Sequence, residues 1–273
     1  MLRQKTPEGW FLIRHPDHAA LAGKFAEAWG NESFRKPHPF ADVVEGISRH
    51  DDGWAKRDET PTITRAGKPS AFGADLVGGY TAFEEIDLPE YLGVRGRAME
   101  IVAEDNPYAA ILISMHTCNL LTEHADRSTI KPDELHLLDR FVDHQRHRQL
   151  ELRAEAADSG RFRDADLTVE RLFEHFRLLQ ACDNMSLLSC VDYPKAASLL
   201  HPLAQIDGTT KTVSVQRTAL RSFRLDPWPF NAPSLTFEIP GRPVTGDTFP
   251  DSKTLEQLYH AAPTVMLSVH LHP

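Results

Sequence analysis

The chain has 273 residues, of which 41% are hydrophobic and 25% charged, with a formal net charge of −9. That composition excludes a long disordered chain, and the length suffices to bury roughly three quarters of the unfolded surface without a disulfide or structural metal. The negative charge disfavours a nucleic-acid backbone or an anionic membrane as partner.

Residues 3–14 read as a short hairpin turning at Pro7-Glu8-Gly9. Its apolar run, Trp10–Ile13, is too short for a secretory leader and is closed by Arg14 and His15. A helix follows Pro16, carries Leu21, Ala22, Phe25 and Trp29 on one face, and stops near Gly30-Asn31. A second helix runs from about Pro39 to His50 and ends at Gly53. Residues 57–85 are rich in Thr, Pro and Gly and read as a long surface loop, a length more often functional than idle.

A helix beginning near Pro89 is broken at Asn106-Pro107, and residues 107–124 form a strongly apolar one. Residues 132–157 form a long charged helix from Pro132, and another helix runs from about Asp166 to Cys190. After Pro194 the period changes from 3.6 to 2. Thr212–Leu225, Leu235–Ile239 and Val265–Leu271 alternate as strands, punctuated by Pro227, Pro229, Pro233, Pro240 and Pro243, with a short helix over 253–261.

The expected architecture is α+β, mainly α, in a single domain 1–273. A helical core over 15–192 carries a strand-rich appendage over 195–273, and the N-terminal hairpin joins those strands in a small antiparallel sheet. No stretch approaches the ~18 apolar residues of a membrane span. Cys118, Cys182 and Cys190 lie in apolar stretches without a CxxC spacing, which points to reduced thiols and a cytoplasmic location.

The informative residues are ionisable side chains on apolar helix faces, because an unpaired buried charge is costly. His18 leads the stripe Leu21, Ala22, Phe25, Trp29. His50 and Asp51 share a side with Val43, Ile47 and Trp54. His116 lines up with Ala109, Leu112, Ile113 and Leu120, and Asp183 with Leu172, Phe176, Leu179, Ser186 and Cys190. Four helices thus aim His or Asp at one core, and one cation resolves all four desolvation problems. Imidazole and carboxylate without thiolate suit Fe, Mn, Co, Ni or Zn, one ion or two. Asp52 can orient His50 or sit at the surface. Trp54 can wall a pocket or simply pack, and Gln145 can face the pocket or be an ordinary buried amide. The basic residues Lys131, Arg140, Arg146, Arg148 and Arg153 read as a solvated helix face. His15 is expected exposed, and His270 and His272 have no assigned role.

An early helical His18, the adjacent pair His50-Asp51 and a late helical Asp183 resemble the HD superfamily of metal-dependent phosphohydrolases over roughly residues 15–192. More closely, Pro16-Asp17-His18-Ala19, His50-Asp51-Asp52-Gly53-Trp54, Pro107-Tyr108-Ala109-Ala110, Ser114-Met115-His116 and Asp226-Pro227-Trp228-Pro229-Phe230 resemble a bacterial family, domain of unknown function 3891, across most of the chain. The superfamily resemblance implies an HD-like helical core, with His18, His50, Asp51 and Asp183 as metal ligands. It further implies that His116 binds a second metal or acts on substrate as an acid. A further histidine of that superfamily has candidates only in His124, His144 and His147. A phosphate-gripping residue has no clear match, although Lys56 and Arg57 lie close to the His-Asp pair. The expectation is a metal-dependent hydrolase of a small phosphate ester. The alternatives are a di-iron oxygenase or a non-catalytic metal- or ligand-binding protein. Substrate and oligomeric state are not legible.

Overall fold

The computed structural model describes residues 1–273. Alternation in the first residues makes a hairpin, β1 (Leu2–Lys5) and β2 (Gly9–Ile13). Six helices follow: α1 (His15–Ala28), α2 (Phe40–Arg49), α3 (Leu88–Ala103), α4 (Pro107–Glu123), α5 (Leu135–Asp158) and α6 (Val169–Cys190). Local chemistry sets several starts. Pro16 and Pro107 occupy first-turn positions, where no N–H is required, and the side chains of Asp87, Asn106 and Thr168 accept N-terminal backbone N–H groups of α3, α4 and α6. No helix is long and apolar enough to cross a membrane.

Three two-residue strands, β3 (Ala197–Ser198), β4 (Leu203–Ala204) and β5 (Thr210–Lys211), lead into β6 (Ser214–Ala219), β7 (Ser222–Asp226) and β8 (Leu235–Thr245). Helix α7 (Ser252–Ala261) and β9 (Val265–His272) close the chain. The sheet order is β1-β2-β8-β9-β7-β6-β3, with β4 and β5 paired separately. All neighbours are antiparallel except β7 and β9.

This corrects the expected fold. An HD-like helical core with a small antiparallel sheet is replaced by seven helices beside a seven-stranded mixed sheet that curls as a half-barrel, and a second two-stranded sheet. Two local features hid the sheet. Thr212–Leu225 is two strands, because the chain turns at Leu220-Arg221 without the glycine or asparagine such turns favour. Arg221 is held at φ 49° by its own N–H donating to Asp192 Oδ1 at 2.7 Å. Strand β8 also runs through Pro240 and Pro243. Residues 235–241 pair with β9 and residues 242–245 with β2, so each half is paired on one side only and leaves a side where no N–H is needed.

The main apolar core joins α1, α2, α4 and α6 to the inner face of the sheet, through Phe25, Ile47, Leu112, Leu179, Phe223 and Val269. Glycines let the helices approach. A Cβ on Gly23 would lie 2.4 Å from Ser48 Cβ, and one on Gly46 3.1 Å from the Ala109 carbonyl oxygen. That contact holds α1, α2 and α4 close enough for short side chains to meet between them.

Candidate metal centre

Each helix delivers one part of the centre. His18 projects from α1, His116 from α4, and Asp183 with Ser186 from α6. His50 is the C-cap residue just after α2, and Asp51 follows at φ −116°, where the helix gives way to a single tight turn over Asp52–Trp54. All five candidate ligands are buried: His18 and His50 are 1% exposed, His116 2%, Asp51 3% and Asp183 7%. Ionisable groups rarely go so deep without a partner.

The hydrogen bonds fix which ring nitrogens face inward. Ser186 donates its hydroxyl proton to the Asp183 carbonyl oxygen at 2.8 Å, so its Oγ accepts from His18 Nδ1 at 2.9 Å. His50 Nδ1 donates to the Ile47 carbonyl oxygen at 2.8 Å. Both rings therefore carry a proton on Nδ1 and turn Nε2 toward carboxylates. His18 Nε2 lies 3.0 Å from Asp51 Oδ2. His50 Nε2 lies 3.4 Å from Asp183 Oδ1 and 3.8 Å from Asp51 Oδ2, without the alignment of a hydrogen bond. His116 Nε2 is 3.8 Å from Asp183 Oδ2, and its Nδ1 has no partner. A ring lone pair facing a carboxylate is repulsive unless positive charge lies between them, as a proton or a cation.

The electrostatics follow that geometry. Burial works to lower the His50 pKa, but the Asp51 and Asp183 carboxylates outweigh it and carry it to about 9. Burial takes His116 down to about 3. Burial would raise Asp51, yet the Arg95 guanidinium and His50 hold it well below the carboxylate range. Asp183 is lowered against its own burial by His50.

Two overlapping triads, His18–His50–Asp51 and His50–His116–Asp183, each keep their donor atoms within 4.8 Å of one another. Separations of 3.0 to 3.8 Å between inward-facing nitrogens and oxygens match neighbouring ligands that each lie about 2.0–2.2 Å from one ion. The donor set and the unpartnered His50 Nε2 therefore fit a borderline divalent metal.

The remaining candidates fall elsewhere. Asp52 is half-buried, accepts from Arg49 Nε at 2.8 Å and makes no hydrogen bond to His50. Gln145 accepts from Ser114 Oγ at 2.7 Å, between α4 and α5. His124, His144 and His147 belong to neither triad. His15, expected exposed, is half-buried, stacks on Trp54 at 4.4 Å and lies 3.0 Å from the Asp58 carboxylate.

Arg95 is the residue that sequence reasoning missed. Its Nη1 donates to Asp51 Oδ1 at 2.6 Å, so one oxygen of Asp51 is held by an arginine and the other faces the histidines. The guanidinium carbon also lies 5.4 Å from the Trp54 ring centre and 5.3 Å from that of Tyr91. The signal was present. Leu88, Tyr91, Leu92, Arg95, Met99 and Val102 form one buried stripe of α3. The test that singled out buried histidines, applied to arginine, finds Arg95.

A cavity of about 540 Å³ opens on the far side of Arg95. None of the five candidate ligands lines it, and its wall toward the centre is Arg95, Trp54 and His15. Much of the rest comes from the 57–85 loop, including Arg65, Phe72 and Tyr80. Long side chains thus separate the candidate ligands from the space that can hold a small molecule.

Comparison with known proteins places the chain in one family. The model described as "Protein of unknown function (DUF3891)" matches residues 1–246. No curated protein and no solved structure matches.

Proposed function

The chain belongs to the DUF3891 family, and we propose that it is a metal-dependent hydrolase of a small phosphate ester or similar molecule. The observation that carries this reading is the pair of imidazoles, His18 and His50, whose Nδ1 protons are tied to Ser186 and Ile47 while both Nε2 atoms face buried carboxylates. The ligands would be drawn from His18, His50, Asp51, His116 and Asp183. His50 belongs to both triads, and its one inward-facing ring nitrogen binds one ion, so the triads do not hold two ions with three ligands each. A bound divalent cation supplies a Lewis acid and a water of lowered pKa.

The chain's own groups do the positioning. Ser186 and the Ile47 carbonyl hold the His18 and His50 rings in the ligating tautomer. Arg95 keeps Asp51 ionised and aimed. His116 is read as a ligand through Nε2, which lies 3.8 Å from Asp183 Oδ2. The order His18, His50-Asp51, Asp183 along the chain resembles that of HD-superfamily phosphohydrolases. The resemblance is in the ligand sequence and supports hydrolysis, not the fold.

The test is elemental analysis of purified protein and of His50→Ala, followed by Mn, Fe, Co, Ni and Zn addition with p-nitrophenyl phosphate as substrate. About one ion per chain, lost in His50→Ala together with turnover, is expected. Wild-type protein that binds none of these ions, or binds one without hydrolysing any ester in a broad panel, rejects the hydrolase.

A further inference from the structure

The cavity beside the centre carries an imbalance of hydrogen-bonding groups. Trp54 and Arg3 line the cavity, but Trp54 Nε1 and Arg3 Nε are closed off within its wall, and the Arg3 Nη groups donate to the Pro69 carbonyl oxygen and to Asp75. Arg95 uses Nη1 on Asp51 and Nε on the Tyr91 hydroxyl, and its Nη2 takes no protein acceptor. The unused Nη2 is thus a donor on a cation. Of the four acidic residues of the rim, only the Glu84 carboxylate takes no donor. Glu90 accepts from Arg57, Glu85 from the Arg65 N–H, and Asp87 from the Glu90 N–H. Buried donors without acceptors are costly, and a ligand rich in acceptor oxygens relieves the cost. The opposite wall is apolar, with Phe72, Leu76 and Tyr80, and Tyr80 is 70% exposed at the mouth. The volume lies within the range of small-ligand sites, about 300–1,000 Å³.

We propose that this cavity binds a small organic anion, with its carboxylate or phosphoryl oxygens held by Arg95 Nη2 and its apolar body laid against Phe72 and Tyr80. Arg95 then joins two sites, one N–H on the candidate ligand Asp51 and another on the anion. That link to the metal centre rests on the reading above, whereas anion binding itself does not.

The experiment is titration calorimetry of metal-free and Mn-loaded protein with phenylphosphonate, benzoate and, as a neutral control, benzyl alcohol. At least one anion binds and benzyl alcohol does not. Whichever anion binds the more tightly assigns the head group as phosphoryl or carboxylate. Arg95→Met weakens the anion roughly 10- to 100-fold, the loss expected for a charge-assisted donor. Tyr80→Ala, at an exposed position that cannot disturb folding, weakens it as well. Protein that ignores both anions, or variants Arg95→Met and Tyr80→Ala that bind as tightly as wild type, overturn the proposal. Mn uptake without anion binding rejects the cavity and leaves the metal reading standing. Anion binding without Mn uptake supports the cavity while the metal reading falls.

Discussion

A histidine becomes a good metal ligand when something else holds its second nitrogen. For His18 that is Ser186, whose hydroxyl bridges from the His18 Nδ1 proton to the Asp183 carbonyl oxygen. Serine 186 touches no inward-facing atom of the centre, yet it sets the tautomer of one candidate ligand. Ser186→Ala leaves His18 Nδ1 buried without an acceptor, so the ring can flip or shift its proton to Nε2. The expected result is a metal affinity lowered roughly 10- to 100-fold, as for other groups that orient ligands, with the far-UV circular dichroism unchanged. Competition of a fluorescent chelator for Mn measures it. Equal affinity in the variant and the wild type contradicts the tautomer assignment.

At the level of elements, the centre depends on how closely helices approach, and glycines control that. The turn after Asp51 packs on α3, where a Cβ on Gly53 would lie 2.3 Å from the Val94 carbonyl oxygen and 2.7 Å from the Ala98 nitrogen. These neighbours are backbone and cannot swing aside. Gly53→Ala is expected to destabilise by about 1–3 kcal/mol, the usual cost of overpacking. Because the turn carries His50 and Asp51 away from Arg95, metal affinity should fall with it. Urea denaturation and metal titration of the same variant check both, and a variant with unchanged urea midpoint rejects the close approach. The sequence made much of this legible. Pro16, Pro107 and the 3.6-residue stripes located α1, α4 and α6 and singled out all five residues of the two triads. What escaped was decided by distant contacts. Asp192 fixes the Arg221 turn from outside the hairpin, one-sided pairing permits Pro240 and Pro243 within β8, and strands of two residues such as β3 carry no periodicity. Asp52 was ambiguous because its neighbour Arg49 competes for it, and only coordinates decide such a contest.

For the whole molecule, buried histidines set opposing limits on stability across pH. His175 sits between α4 and α6, with Nδ1 2.7 Å from the Tyr108 hydroxyl and Nε2 buried without a partner. Burial lowers its pKa from 6.5 to about 3. Between those values the unfolded chain binds a proton that the folded chain refuses, so stability falls as pH drops from 6.5 toward 3. His116 acts in the same direction. His50 acts oppositely in the metal-free protein. Its pKa is raised from 6.5 to about 9, so its contribution is complete below 6.5 and is lost as pH climbs toward 9. The metal-free protein should therefore be most stable near neutrality and lose stability on both sides. Each buried histidine accounts for up to about 1.4 kcal/mol per pH unit within its window. His175→Gln removes one proton from the acid limb only, so its slope between pH 6 and 4 should be shallower by about that amount while the alkaline limb is unchanged. His50→Gln should flatten the alkaline limb instead. Urea midpoints at unit pH intervals, with the m-value constant, read both slopes, and an acid limb as steep in His175→Gln as in wild type would show that His175 is not kept neutral by its burial.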